Sequence, residues 1–442
     1  VKLLFILPEY LPQSGGGIIT FYRSWLPLLA ARGHDVRVVV GSAFTMSPDP
    51  RPVRIDGVSV ETLGEARFQA QLPRFSHYAG VPGLQAHLAA AWAMFEQAGR
   101  GAGFAAVETT DWGLLFVPWV VEHSVPVVLQ MHGSCGQIDL HDPVAGEELQ
   151  GHLIRLIERG GVAHADVVQT YSSANAAFWQ SQSGKPVDFV PPAFAVPVTD
   201  AIGPRNGRGL VVGRVQRWKG PQVLCEALAL LGVAAPRIDW IGRDTVYGAR
   251  SQSTAQLLAR RFPEVWGTRV APRPPESPSA IGVRQREAEF VVVPSTWDVF
   301  NFTCVEAMAA GAPVVCSDGA GASQWIEDGV NGFLFESENA RSLAGALRRL
   351  MALDGAQRRA IGQRGRETVR AALDPEAIAE RRAHVYATVR ASASAIGRTD
   401  WLRRAVGPAD EQLDGRRLLD HLPLRSLSLY VLRRAAQRVL SS

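Results

Sequence analysis

The chain has 442 residues, 47% of them apolar and 20% charged, a balance that supports two domains with separate cores and excludes disordered and fibrous classes. Its net charge of +4 sits at the end: residues 398–442 hold nine arginines against five acids, while the preceding residues hold 37 basic and 37 acidic side chains. A balanced body without a basic stripe argues against nucleic acid as a partner, and the cysteines Cys135, Cys225, Cys304 and Cys316, with no C-x-x-C pair, suit reduced thiols in a cytoplasmic protein.

In chain order, residues 3–7 (LLFIL) form an apolar run too short for a signal peptide and lead into Gly15, Gly16 and Gly17, which predicts a buried strand and a glycine turn. Residues 18–32 carry helical apolar spacing closed by Gly33, and 36–40 (VRVVV) is a second strand, giving a β-α-β unit. The runs 126–130 (PVVLQ) and 166–170 (DVVQT) alternate with helical stretches at 83–97 and 151–162, as in a doubly wound parallel sheet. Residues 189–209, rich in Pro and Gly, read as a linker. Beyond it, 209–213 (GLVVG), 238–242 (IDWIG), 290–294 (FVVVP) and 313–317 (PVVCS) repeat the pattern. The expected fold is α/β: two Rossmann-like domains, 1–195 and 206–375, facing a cleft at the carboxyl ends of both sheets, where such folds place ligands. Residues 376–397 are expected to form a helix crossing back to the first domain, and 398–442 a basic amphipathic tail. No run of 18 apolar residues exists to span a bilayer.

Three strings carry chemistry. Gly15 to Gly17 open the first helix, where unhindered amides suit a phosphate or merely a flexible turn. Gly213-Arg214 ends a strand, and Trp218-Lys219-Gly220-Pro221 then starts a helix. Arg214 and Lys219, one of only three lysines in the chain, can converge on a diphosphate. Asp298 follows the strand 290–294, and Glu306 lies about one turn into a short helix predicted over 301–310, whose remaining residues are almost wholly apolar. A carboxylate in such a segment needs a polar partner.

With VVGRVQRWKG at 211–220, the acid-x7-acid element from Asp298 to Glu306 and IEDGVNGFLF at 326–335, the chain to about residue 390 resembles the retaining GT-B glycosyltransferases of family 4. The resemblance implies that Arg214 and Lys219 bind the diphosphate of a UDP- or GDP-linked sugar, that Gly16, Gly17 and Gly213 lie against it, and that the amides of Asn301, Phe302 and Thr303 face it. Glu306 then holds the ribose, Asp298 the sugar hydroxyls, and His132, in QMHG, faces the sugar from the first domain. No resident cofactor or metal is implied. Asp298 stands where the family usually has Glu, and Gln324 where many members have Glu. Those departures leave open an inactive nucleotide-sugar-binding relative or an epimerase beside a transferase of polysaccharide, glycolipid or glycoconjugate biosynthesis. The Leu and Arg pattern of the tail suits the inner face of a membrane and a lipid-linked acceptor, or packing on another part of the chain.

Overall fold

The computed structural model describes residues 1–13, 16–142, 148–197, 205–247, 252–390 and 400–408, with scattered residues between 425 and 436. Gly15, the middle of the linker and most of the tail therefore lie outside the described residues. The first sheet comprises β1 (Lys2–Leu7), β2 (Asp35–Val40), β3 (Val53–Ile55), β4 (Val58–Thr62), β5 (Ala106–Thr110), β6 (Val127–Met131), β7 (Val167–Thr170) and β8 (Asp188–Phe189). Its order is β3-β4-β2-β1-β5-β6-β7-β8, parallel throughout except for β3 at the edge. The second comprises β9 (Gly209–Val212) and β10 (Ile238–Ile241), then, after a short antiparallel pair, β11 (Val246–Tyr247) and β12 (Gln252–Ser253), the strands β13 (Val270–Arg273), β14 (Phe290–Val293), β15 (Val314–Ser317) and β16 (Phe333–Phe335). Its order is β13-β10-β9-β14-β15-β16, all parallel. Two parallel sheets buried on both faces explain why most strands read as uninterrupted apolar runs.

The helix expected over 18–32 is two helices, Gly17–Arg23 and Leu26–Ala31, with Trp25 between them at φ −141° and ψ −20°. The cause is Pro27, whose ring would clash with the carbonyl of Arg23 in a continuous helix. The predicted helices at 83–97 and 151–162 are found as Pro82–Gln97 and Glu148–Val162.

One buried cluster runs through both lobes, from Phe5 and Tyr22 through Tyr171 to Phe300 and Phe302, so the lobes meet on apolar surface. The helix Pro375–Thr388 leaves the second lobe and packs on the first: Arg32 pairs with Glu376 at 2.7 Å and Arg381 donates to the Phe189 carbonyl at 2.8 Å. The start of the tail also docks on the first lobe. Helix Asp400–Val406 buries Leu402 and Val406 there, Trp92 donates to the Val406 carbonyl at 3.0 Å, and Arg403 pairs with Glu122 at 3.0 Å. Arg403 is thus paired within the chain. Among the described residues no helix is long and apolar enough to cross a membrane.

Gly220, at φ +72°, packs so closely on β14 that a Cβ would overlap the Pro294 carbonyl oxygen. Gly345, inside the helix Ala340–Ala352, has open space around it. Gly220→Ala is therefore expected to cost more than about 2 kcal/mol and Gly345→Ala to add about 0.5–1 kcal/mol. Equilibrium unfolding in urea checks both, and equal effects at the two positions would contradict the assignment.

Candidate active site

The carboxyl ends of the two sheets face one another, and the loops that follow β1, β6, β9 and β14 line the gap between them. After β9 the chain turns at Gly213 (φ +153°), runs through Arg214 into a single turn of 3-10 helix, Arg217–Lys219, and passes Gly220 into the helix Pro221–Leu231, with Pro in the first turn. Proline is preorganised there because its missing N–H would have had no partner. This path brings Lys219 to Asp298: its ammonium pairs with the carboxylate and lies 4.7 Å over the Trp218 ring. The amide of Asn301 donates to the same Asp298 oxygen at 3.1 Å and to Ser295 Oγ at 3.2 Å. Asn301 holds a left-handed conformation, φ +75°, immediately before the helix Phe302–Ala309.

Arg214 is exposed in the gap and, among the described residues, has no hydrogen-bond or ion-pair partner. Surrounding protein pulls its pKa below the ordinary value, while Asp298, Asp142 and Glu9 favour its charge and Arg243 opposes it. It is a cation with acids around it and none in contact.

The helices Gly17–Arg23 and Phe302–Ala309 lie against one another across the gap. Gly17 is close enough to the Phe302 ring that a Cβ would sit 3.2 Å from it, and Arg23 lowers the pKa of Glu306. Burial outweighs Arg23, so the Glu306 carboxyl is raised overall. Gln285 also lowers it, although the Gln285 Nε2 makes no hydrogen bond of good geometry. The Phe302 side chain packs in the core against Phe300 and Tyr171, at 5.1 and 6.1 Å between centroids, so only its backbone is left to face a ligand. Thr303 makes a long contact of 3.5 Å to the Val212 carbonyl.

Sequence reasoning missed Glu9. Its Oε1 accepts from the Gly16 amide at 3.1 Å and the Ile19 amide at 3.4 Å, so a carboxylate of the chain itself occupies the amides expected for a phosphate. A Glu six residues before a glycine run carries no motif that would have flagged it.

His132 follows β6. Its backbone amide and that of Gly133 (φ +106°) donate to Asp111 at 2.8 and 3.1 Å, which fixes the turn, and burial pushes the Asp111 carboxyl up to about 7. Both ring nitrogens are engaged, Nδ1 with the Tyr171 hydroxyl at 2.9 Å and Nε2 with the Tyr22 hydroxyl at 3.3 Å. Burial, then Arg382, hold the imidazole well below its ordinary pKa, which favours the neutral ring. Three further contacts join the lobes beside it. His141 stacks on Trp297 at 4.3 Å and 6°, and Gln216 donates to Asp142 at 2.7 Å. Gln324 accepts from Ser173 N and Oγ at 3.1 and 2.9 Å and donates to the Tyr171 carbonyl at 3.2 Å. That donation needs an amide, which accounts for Gln at this position in structural terms.

Two family models match the chain, glycosyl transferase 4-like domain over residues 16–193 and glycosyl transferases group 1 over residues 207–352. The chain is 26% identical over 375 residues to D-inositol 3-phosphate glycosyltransferase of Corynebacterium kroppenstedtii, spanning 76% of this chain and 78% of that relative. Sucrose-phosphate synthase from Thermosynechococcus elongatus shares the fold with a TM-score of 0.67 at 22% identity, over 88% of this chain and 98% of that one. Anabaena HepE in complex with UDP-glucose does so at 0.61 and 16%, over 88% and 100%. The two family matches, the two parallel-sheet lobes and these neighbours agree: the chain belongs to the group 1 glycosyltransferases, with a family 4-like first domain, and has the GT-B fold.

Proposed function

We propose that the chain transfers a glycosyl group from a UDP- or GDP-linked sugar to an acceptor hydroxyl, with retention at the anomeric carbon and with Arg214 and Lys219 supplying the positive charge. The observation that carries this reading is the Arg214 guanidinium, which has no ion-pair or hydrogen-bond partner among the described residues while Asp298, Asp142 and Glu9 favour its charge. The match to a neighbour bound to UDP-glucose agrees with a nucleotide donor.

As the glycosidic C–O bond breaks, negative charge grows on the diphosphate, and cations fixed beside it bind the transition state more tightly than the ground state. Lys219 pairs with Asp298 in the structure. A diphosphate offers Lys219 a second anion, which leaves the Asp298 oxygens to the sugar hydroxyls. Asp298 is held by Lys219 and Asn301, and Asp111 by two backbone amides, so neither carboxylate is a free nucleophile. This favours attack from the leaving-group face. The acceptor oxygen bonds to the anomeric carbon, the bond to the phosphate oxygen breaks, and that phosphate takes the acceptor proton. Closure of the lobes over the donor keeps water from competing with the acceptor. The relative's name puts phosphorylated cyclitols first among acceptors to try.

Incubation with a panel of UDP- and GDP-sugars, with mass-spectrometric detection of products, tests the reading directly. With the sugar so found, Arg214→Ala and Lys219→Ala are each expected to lower kcat/KM about 10²- to 10³-fold with unchanged circular dichroism. An active double variant would overturn the role. Glu9→Gln, which removes the competing anion from the Gly16 and Ile19 amides, is expected to tighten UDP binding about tenfold at low salt and less at high salt. Calorimetry reads this, and weaker binding would mean that Glu9 holds the ligand rather than its place. Because Arg23 lowers the Glu306 pKa, Arg23→Ala is expected to move the acidic limb of UDP affinity to higher pH. A limb that stays in place would remove Glu306 from the nucleotide.

A further inference from the structure

The helix that crosses back from the second lobe carries a charge into the centre of the first. Arg382 is fully buried, and its guanidinium lies 4.6 Å over each of the Phe21 and Trp25 rings. It donates to Gln130 at 2.9 Å and to Gln169 at 3.4 Å, and it stands 3.5 Å from Glu108 Oε2 on β5. An arginine keeps its proton at any pH a protein meets, so a buried one requires an anion, and Glu108 is the acid within reach. Two phenols donate to that carboxylate, Tyr22 to Oε1 at 2.8 Å and Tyr386 to Oε2 at 2.6 Å, the short distance expected of a hydroxyl on an ionised oxygen.

Tyr22 has one hydroxyl proton, and it is committed to Glu108. Its oxygen therefore has only lone pairs to offer His132, whose Nε2 lies 3.3 Å away. A hydrogen bond there requires the proton to be on Nε2. The neutral ring then has its lone pair on Nδ1, where the Tyr171 hydroxyl stands at 2.9 Å as a donor. The chain of contacts assigns the tautomer.

We propose that Arg382 is a positioning residue for His132: by holding Glu108 as a carboxylate it commits the Tyr22 proton, and so keeps the imidazole in one orientation as its Nε2–H tautomer. This deepens the donor-site reading and rests on it for the claim that His132 meets the sugar. In that role the Nε2–H, held only at 3.3 Å by Tyr22, is the donor that a sugar oxygen would share without the ring turning. Without Arg382, the buried Glu108 takes up a proton from solvent and donates to the Tyr22 oxygen. The Tyr22 proton then turns to Nε2, and the ring proton moves to Nδ1.

Nitrogen NMR of the full chain labelled at its ten histidines reads the tautomer, with His132→Gln identifying the signal. The wild type is expected to show a neutral ring protonated at Nε2. Tyr22→Phe should give a mixture of tautomers, Arg382→Met should shift the ring to Nδ1–H, and Arg382→Lys should restore the wild-type pattern. Tyr22→Phe removes one oxygen and no charge, so if Arg382→Met does not fold it still tests the Tyr22 link, and Glu108→Gln, which removes the carboxylate that Arg382 holds, tests the rest by the same shift to Nδ1–H. An imidazolium or an Nδ1–H ring in the wild type would overturn the proposal, as would an Nε2–H signal unchanged in Tyr22→Phe. UDP calorimetry on the same samples separates the two readings. UDP affinity within about threefold of wild type beside a changed tautomer supports positioning, and a wild type that fails to bind UDP counts against the donor site while the tautomer result stands.

Discussion

A charge sealed away from water has to be answered within the protein, and the Arg382–Glu108 contact does so where the end of the chain meets the centre of the first sheet. Taking both ions out of water costs several kcal/mol each, and removing one partner typically costs about 3–5 kcal/mol because the other is stranded. Here two phenols, two glutamine amides and two aromatic faces answer most of the pair's polarity, and only the Arg382 Nε is left without a hydrogen bond. The fit makes the position of the crossing helix specific. Slippage by one residue would leave the guanidinium without Glu108 and the carboxylate without Tyr386. The relation between the lobes is thus set from within the first, on the face of the sheet whose loops carry His132.

The gap between the lobes follows the opposite rule, since its charges are only loosely answered. Glu9 covers the amides of Gly16 and Ile19, Asp298 covers Lys219, and Arg214, which touches no acid among the described residues, has its charge favoured by Asp298, Asp142 and Glu9. Each cationic feature expected to meet a diphosphate already has a weak internal counterpart. Binding a polyanion therefore exchanges one set of attractions for another, and the net gain is smaller than the sum of the new contacts. The benefit is that the groups are already oriented, so little reorganisation accompanies the reaction.

The apolar strands of both lobes were legible in the sequence because strands buried on both faces contain little else. The strand Ala106–Thr110 was not, since Glu108, Thr109 and Thr110 interrupt the pattern although all three are buried. Their burial depends on partners far along the chain, above all Arg382, which no local window contains. Pro27 is the converse case: the apolar period continued across it, and the missing amide hydrogen decided the break. At the site, Arg214, Lys219, Asp298 and Glu306 stood out in the sequence because charged residues interrupt apolar or glycine-rich strings there. The Phe302 side chain belongs to the core instead. Glu9 lies outside any motif, and Gln216–Asp142 and the His141–Trp297 stack join segments 74 and 156 residues apart.

Gln324 joins the lobes through a neutral side chain that accepts from Ser173 and donates to the Tyr171 carbonyl. A carboxylate there would repel that carbonyl. An uncharged clasp neither titrates nor responds to ionic strength, so the tendency of the two halves to come together at this point should be the same in acid, base or brine, leaving the arrival of the cargo to alter the balance.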